Sequence, residues 1–397
     1  MTNLPRQFDV IVLGAGAAGL MCAATAGQRG RRVALLEHNG QVGRKILVSG
    51  GGRCNFTNLH CGPGNFLSEN KHFAKSALAL YQPRHFIELV ERYGIPWHEK
   101  TLGQLFCDGS ARAIVEMLLA ECEQASQAQG SVEIALNSHG IQVESAAGGG
   151  FRVTASSGVY HSQALVVATG GLSIPKLGAT GLGYELARQF GLGVIEPRPA
   201  LVPLLLGGCE SVWTALAGVA AEVVASAGNA HFREKMLVTH RGLSGPAILQ
   251  ASSYWRPGKE LRVDFAPELD VLRTLMEPGA RRDVAELRQL LRGVLPQRLA
   301  NHLAGVGCPN GWSNPAIEAC ERNLHGWAFH PVGTEGFEKA EVTAGGVDTA
   351  ALQARTLEAR NTPGLFFIGE TVDVTGWLGG FNFQWAWSSA VAAGRAV

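Results

Sequence analysis

Asp9–Glu37 reads DVIVLGAGAAGLMCAATAGQRGRRVALLE. The apolar run Val10–Leu13 stops at Gly14, and Gly14, Gly16 and Gly19 follow in GxGxxG spacing. Small residues continue to Gly30, and a second apolar run, Val33–Leu36, ends in Glu37. The pattern is strand, tight turn, helix, strand, acid. Each residue type has a chemical reason. Gly14 permits the turn, Gly16 lets the backbone approach a pyrophosphate, and Gly19 lets the helix sit close to the strand. The helix N-terminus offers free N–H groups and the positive end of a dipole to phosphate. Glu37 stands where ribose hydroxyls would donate to it. A chance glycine-rich turn would not supply both flanking strands and the acid at this distance.

The same stretch could be mistaken for a membrane span or a signal peptide, because Val10–Gly27 carries no charge. Asp9 in front of it and four glycines in fingerprint register argue for the nucleotide unit instead. The bulk properties agree. The chain has 397 residues, long enough for two or three domains. It has 34 basic and 33 acidic residues, so its net charge of +1 leaves no electrostatic footprint for nucleic acid or an anionic membrane. Cys22, Cys54, Cys61, Cys107, Cys122, Cys209, Cys308 and Cys320 are scattered, with no CxxC pair. That excludes a zinc ribbon or a disulfide framework and points to a reduced, cytoplasmic protein.

Past Glu37, GRKILVSGGGRCNFTN (Gly43–Asn58) places three glycines, Gly50–Gly52, between Ser49 and Arg53. The run suits backbone pressed against a flat or anionic ligand, with Arg44, Lys45 and Arg53 supplying charge. His72–Tyr93 has helical spacing broken near Pro83, Ile95–Phe106 reads as a hairpin around Gly103, and Ser110 can cap a helix carrying Ile114, Met117, Leu118 and Cys122. His98, Glu99 and Lys100 fit either a site or a solvated turn. Val132–Ser145 and Gly150–Ala155 read as strands of a meander. ALVVATGG (Ala164–Gly171) is a buried strand ending in Gly-Gly, where Ala168, Thr169 and Gly170 would meet a ligand. Thr180–Gly191 opens like a helix capped by Thr180.

Pro197, Pro199 and Pro203 mark a boundary. Beyond it, short β-type runs (Ala221–Ala225, Lys235–Thr239, Glu260–Phe265) predict a small β-barrel or sandwich, followed by a helical, charged stretch to about Leu303. Near the end, PGLFFIGETVDVTGWLGGFNFQWAWSSA (Pro363–Ala390) repeats the opening grammar. A buried strand, Leu365–Ile368, runs into Gly369-Glu370, and Gly379-Gly380 then opens a last helix. Trp385 and Trp387 on that helix fit a packed core or a ligand contact equally well.

The N-terminal GxGxxG with Glu37, the ATGG strand and the C-terminal GLFFIGE together resemble FAD-binding enzymes of the glutathione-reductase-like fold, and Gly369-Glu370 looks more like the fumarate reductase and succinate dehydrogenase branch. GRKILVSGGGRCNFTN, THRGLSGPAIL (Thr239–Leu249), EVTAGGVDT (Glu341–Thr349) and GETVDVTGWLGGFNFQWAWSSA narrow the resemblance to a bacterial flavoprotein family that includes aminoacetone oxidase and a bile-acid dehydro-reductase. The resemblance covers nearly the whole chain. It implies an α/β fold: a discontinuous, glutathione-reductase-like FAD-binding Rossmann domain (1–193 and 341–397), an inserted β-barrel (194–267 and 324–340), and a small helical insert (268–323).

It also implies site residues. Gly14, Gly16, Ala17, Ala18 and Gly19 would hold the pyrophosphate, and Glu37 the adenosine ribose. Arg44 and Lys45 would follow the pyrophosphate and ribityl chain. Ser49, Gly50, Gly51, Arg53, Cys54 and Asn55 would line the isoalloxazine. Gly369 and Glu370 would approach the ribityl end, and Gly379, Gly380, Phe381, Asn382 and Phe383 would aim helix N–H groups at the flavin pyrimidine. Gly140 or Val143 would give adenine a backbone contact. Cys54 is the candidate for covalent attachment, which the resemblance argues against. For catalysis, Arg53 would hold a substrate oxygen, and His240 with Arg241 would supply a proton and charge; His240 could equally serve only to anchor the turn before Gly242.

There is no second GxGxxG unit, so a dedicated NAD(P) domain is absent, and NADH or NADPH would have to bind over the flavin itself. Three functions remain open: an NAD(P)H-dependent reductase of an activated carbon–carbon double bond in a small organic substrate, an oxygen-using oxidase of a small amine, or a non-catalytic FAD-binding redox sensor or accessory protein. No metal site, nucleic-acid partner, membrane partner or protein partner is expected.

Overall fold

The structure is a computed structural model that describes residues 6–146, 148–307 and 309–397. Cys308 lies outside the described residues. The chain divides into two compact units, Met1–Arg198 with Val342–Val397, and Pro199–Glu341. Val194–Ala200 forms a strand paired with Val342–Val347, and this pairing draws the first unit on to Arg198, past Gly193.

The first unit is built on a five-stranded parallel sheet. Its strands run in the order Leu365–Phe367, Ala164–Val167, Val10–Leu13, Arg32–Leu36, Ser131–Ala135. The central strands VIVL and ALVV are buried at every position, as expected for a sheet covered on both faces. Helix Ala17–Gly27 packs between this sheet and the last helix, Phe381–Ala396. Small residues make that approach possible. A Cβ on Gly394 would lie 2.7 Å from the Thr25 side chain and 3.0 Å from the Cys22 carbonyl.

Two sequence expectations change here. Val132–Ser145 is not one arm of a meander. Its first part belongs to the parallel sheet, and the chain then turns through Asn137 (φ +55°) and Gly140 (φ +63°). Gln142–Ser145 joins a separate four-stranded sheet with Phe151–Ala155, Gly158–Ser162 and Arg6–Gln7. The helix after Thr180 spans Leu182–Gln189 with Gly181 at its cap position, and no side chain caps it, so Thr180 does not have that role. Elsewhere Lys75–Leu80 and Pro83–Arg92 form two helices, with Pro83 in the first turn of the second, where a missing N–H costs nothing. Trp97–Glu99 and Gln104–Cys107 form the expected hairpin, extended by Asn55–Asn58 into a three-stranded sheet.

The second unit carries a seven-stranded antiparallel sheet. Its edge strands are Trp327–Phe329 and Gly333–Thr334, which are consecutive in the chain. Seven flat strands would set the edges about 29 Å apart, since neighbouring strands are spaced at ~4.8 Å. The chain between Phe329 and Gly333 reaches at most about 14 Å at full extension. The sheet must therefore curl until its edges approach, which gives the expected barrel. Helices Val284–Val294, Gln297–Val306 and Asn314–His325 complete the unit. Pro296 separates the first two, and Asp283 caps the first through a 2.9 Å bond from Glu286 N–H.

Candidate flavin site

The fingerprint strand ends at Gly14, where φ is +97° and an added Cβ would lie 2.6 Å from the Ala168 carbonyl oxygen. Any side chain there would push apart the ends of two neighbouring parallel strands. On Gly19 a Cβ would collide with the Gly14 carbonyl, so the helix can sit down on the turn only with glycine. Gly16 differs: nothing stands within 4 Å of its missing Cβ. It is the helix cap position, and no side chain there caps the first N–H groups of the helix. Gly51 and Gly170 have the same open flank. The closed positions are structural. The open ones leave the backbone free on one side, the property a cradle for a pyrophosphate or a flat ring would need.

Glu37 is 6% exposed, and its carboxylate is already well used. Oε2 accepts from Ala15 N–H at 2.7 Å, and Oε1 accepts from the Asn39 backbone and side-chain N–H groups, both at 2.9 Å. Glu37 thus braces the fingerprint turn and still has lone-pair capacity for a ribose hydroxyl. Beside it, Ala135 accepts from Glu37 N–H and Ser138 N–H donates to the Glu37 carbonyl, each at 2.9 Å. The 135–138 turn therefore flanks Glu37. Gly140 follows two residues later. Val143 lies in the four-stranded sheet, paired antiparallel with Val153, and its carbonyl accepts from Gln189 Nε2 at 2.7 Å. Leu136, 38% exposed, belongs to this turn, and only the sheet order places the turn beside Glu37.

Arg44 and Lys45 point to different partners. Arg44 Nη1 donates to Asn39 Oδ1 at 2.6 Å and to the Leu177 carbonyl at 3.1 Å. Lys45 Nζ donates to Ser173 Oγ at 2.6 Å and to Glu370 Oε2 at 2.7 Å. Glu370 Oε1 in turn accepts from Ser173 Oγ at 3.0 Å and Thr343 N–H at 2.8 Å. Gly369 is held by the last helix at both polar groups: its N–H donates to Ser389 Oγ at 3.0 Å, and its carbonyl accepts from Trp385 Nε1 at 2.9 Å. Trp387 stacks on Phe86 at 4.3 Å and on Phe383 at 5.7 Å. Both tryptophans are therefore core residues, and the open question about them is settled by burial.

In the triple-glycine turn Gly50, Gly51 and Gly52 have φ of +57°, +66° and +85°, a run of left-handed backbone that only glycine adopts cheaply. Gly50 packs on the Phe106 ring, where a Cβ would be 2.8 Å away. Cys54 is fully buried, and burial pushes its thiol far above the ordinary cysteine range. A thiol held neutral is a poor candidate for covalent attachment. Arg53 is exposed, and its carbonyl accepts from Cys107 N–H at 3.0 Å. Asn55 lies beside Gln104. The next residues were not singled out from sequence, yet they position the last helix. Thr57 Oγ1 donates to Gln384 Oε1 at 2.6 Å, and Asn58 Nδ2 donates to the Gly379 carbonyl at 2.9 Å. Gly380 caps the helix at φ +95°, and a Cβ there would collide with the Thr57 carbonyl. Phe381 packs edge-on against Phe66 and Trp377, and the Asn382 side chain is committed to Gly376 and Trp377. What this end offers a ligand is therefore backbone N–H, in the first turn of the helix.

Thr169 lies at the end of strand Ala164–Val167, and its Oγ1 is buried without a partner. Tyr184 OH is buried and unpartnered in the same unit. Orphan hydroxyls beside an open glycine cradle fit a site built to bond a further molecule. In the second unit, His240 and Arg241 lie in a turn closed by Thr239, whose Oγ1 accepts from Arg241 N–H at 3.2 Å and Gly242 N–H at 3.1 Å. Thr239, not His240, anchors that turn. His240 is exposed, and Arg241 pairs with Glu335 at 3.5 Å. Among the described residues no helix is long and apolar enough to cross a membrane.

Two dinucleotide-type half-sites, one from each end of the chain and joined through Lys45–Glu370, define an oxidoreductase of the FAD-binding Rossmann type. The chain belongs to the HI0933-like family, whose model "HI0933-like protein Rossmann domain" matches residues 8–396. It is 50% identical over 398 residues, 98% of each chain, to the Escherichia coli (strain K12) protein named "Ribosomal RNA dihydrouridine synthase". It is 31% identical, over 97% of this chain and 98% of the other, to the "3-dehydro-bile acid delta(4,6)-reductase" of Clostridium scindens (strain ATCC 35704 / DSM 5676 / VPI 13733 / 19). Among solved structures, a quinol–fumarate reductase chain aligns with a TM-score of 0.51 at 16% identity, covering 99% of this chain and 71% of that one, a likeness of fold alone.

Proposed function

We propose that this chain is an FAD-dependent reductase of a carbon–carbon double bond conjugated to a carbonyl, working in the cytoplasm with NADH or NADPH as donor, and that its substrate is uridine in ribosomal RNA. The observation that carries the substrate is the 50% identity to the Escherichia coli protein across 98% of both chains. The chemistry agrees with the expectation of an activated double bond. The C5=C6 bond of uracil is conjugated to the C4 carbonyl, so a hydride adds at C6 and a proton at C5. The donor is oxidised to NAD(P)+, and the base gains one H2 overall. FAD, when bound, supplies the two-electron transfer between donor and base.

The chain's own groups have the remaining tasks. The glycine cradle and the N–H groups of helices Ala17–Gly27 and Phe381–Ala396 would hold the cofactor. Arg53, exposed and permanently charged, would bind a carbonyl oxygen of the base. His240 would give the proton, with Arg241 beside it, since an imidazole can transfer one near neutral pH. A second reading, a small enone-type organic substrate, is supported by the Clostridium scindens relative and by the net charge of +1. A net charge averages over the surface, however, and says nothing of a local basic rim. The test is to incubate the holoprotein and NADPH or NADH with unmodified ribosomal RNA, digest the RNA to nucleosides and look for dihydrouridine by mass. Dihydrouridine formation supports the proposal. Donor oxidation with a steroid enone but not with RNA would favour the second reading, and peroxide formation with an amine would point to an oxidase.

A further inference from the structure

We infer that Leu102 is a wedge that opens the RNA base stack beside the target uridine; this rests on the ribosomal RNA reading above. Leu102 is 58% exposed at the tip of the turn between strands Trp97–Glu99 and Gln104–Cys107. Its φ is +51°, a left-handed conformation that a leucine adopts only at a cost. The turn is held in that shape from several sides. Gln104 N–H donates to the Thr101 carbonyl at 3.0 Å, Gly103 N–H to Glu99 Oε1 at 3.0 Å, and Lys100 N–H to the Gln104 carbonyl at 3.0 Å. Asn58 Nδ2 donates to the Leu102 carbonyl at 3.1 Å. Polar bonding fixes an apolar side chain facing water, the reverse of what stability alone would select.

The position of the tip relative to the flavin site is also fixed. The Asn58 amide that holds the Leu102 carbonyl holds the Gly379 carbonyl as well, directly before the last helix. Leu59, 45% exposed, lies against the same turn, with its N–H donating to the Gly103 carbonyl at 2.9 Å. A lysine and a histidine flank the two leucines. His60 is exposed and packs on Gly103, and Lys100 sits over the Phe106 ring at 5.3 Å. Phe106 is the ring that packs on Gly50 of the triple-glycine turn. Two apolar side chains with a lysine and a histidine beside them, set at the rim of a nucleotide-reducing site, match what an RNA strand needs. The Lys100 ammonium and a His60 ring N–H take the phosphates, and the leucine replaces the stacking partner of the base that must leave. The uracil C5=C6 bond is covered by its neighbours in a stacked helix, so the base must be extruded before it can be reduced.

The test uses full-length holoprotein and two RNA substrates carrying the same target uridine, one in a base-paired stem and one in an unstructured oligonucleotide. Leu102→Gly relieves the strained backbone and removes the wedge; Leu102→Met keeps the apolar bulk. Both variants should bind FAD as wild type does. Leu102→Gly should reduce the stem uridine at least about tenfold more slowly, reflecting the unstacking it no longer assists, and the unstructured one at the wild-type rate. Leu102→Met should stay close to wild type on both. Equal loss on both RNAs, or no loss on either, overturns the wedge while leaving the ribosomal RNA reading in place. Wild-type protein inactive on both RNAs overturns that reading and the wedge with it.

Discussion

Lys45 Nζ lies 2.7 Å from Glu370 Oε2, joining residues 325 positions apart. The pair ties the nucleotide-binding start of the chain to its closing segment. It is not an isolated surface ion pair, because Glu370 also accepts from Ser173 and Thr343. The two partners should therefore differ in worth. Lys45→Met removes one partly exposed charge and should cost about 0.5 kcal/mol. Glu370→Ala leaves a backbone N–H and a lysine without their acceptor and should cost about 1–3 kcal/mol. Urea unfolding of the two apoproteins measures the order; Lys45→Met costing more than Glu370→Ala would show that Glu370 is not the hub.

Glu37→Gln should weaken FAD binding by about 1.5–3 kcal/mol, the scale of one charge-assisted bond. The substitution also turns an amide N–H toward either Ala15 N–H or the Asn39 donors, so some loss of thermal stability should accompany it. Titration of apoprotein with FAD reads the first effect and calorimetry the second. An unchanged dissociation constant would remove Glu37 from the site.

The flavin should come away freely. Burial pushes the Cys22 and Cys61 thiols up to about 12 and the Cys54 thiol higher still. Acid precipitation should leave a colourless pellet and a yellow supernatant. Brief iodoacetamide treatment of native protein at pH 8 should label exposed Cys209 before any of the buried thiols. Early labelling of Cys54 would contradict its burial.

His240→Ala should keep FAD and fold but slow flavin-linked turnover by about 10²-fold, the usual scale for losing a general acid. Arg53→Lys should mainly raise KM, since a point charge replaces a planar fork. Steady-state kinetics separates the two. Unaltered turnover in His240→Ala would reduce His240 to a surface residue of the Thr239 turn.

His325 predicts a pH dependence in the second unit. Its Nδ1 lies 2.9 Å from Asp264 and its Nε2 3.0 Å from Glu321. Burial is the largest single influence and opposes the charged ring, but the two carboxylates together outweigh it, and the folded pKa is raised above 6.5. The stabilisation is therefore complete below pH 6.5 and lost as pH rises through the raised value. Melting of wild type from pH 5.5 to 9 should show that decline, and His325→Gln should flatten it. A wild-type curve rising over this range would have the wrong sign.

Much of this fold was legible because its signals are local. GxGxxG, the strand before it and Glu37 lie within one βαβ unit, and the apolar runs at Ala164 and Leu365 are too short and too β-branched or aromatic to be helices. What could not be read is what depends on which strand ends lie side by side. Val132–Ser145 looks like one β region, yet a turn through Asn137 and Gly140 sends its halves to different sheets. The place of 135–138 beside Glu37 becomes visible only once strand Ser131–Ala135 is set beside Arg32–Leu36. Asn58, Thr57 and Gln384 lie inside two of the quoted strings, yet their role stays hidden there, since it is to join segments more than three hundred residues apart. Leu102 was equally hidden, because a single leucine in a turn has no sequence signature; its strained backbone does.

The parallel sheet takes its last strand from Leu365–Phe367, and the cradle its second helix from Phe381–Ala396. During synthesis this separates two events. The fingerprint around Gly19 leaves the ribosome roughly 20–70 s before Phe381 is joined to the chain, at ordinary rates of translation. From its own synthesis until Leu365–Phe367 follows, the strand Ala164–Val167 has an unpaired edge, and until Phe381–Ala396 is made the last helix is missing. Flavin capture would then act as a check on the polypeptide: a chain broken off before Phe381 lacks the last helix, and one broken off before Leu365 is also left with an open sheet edge for a protease to find.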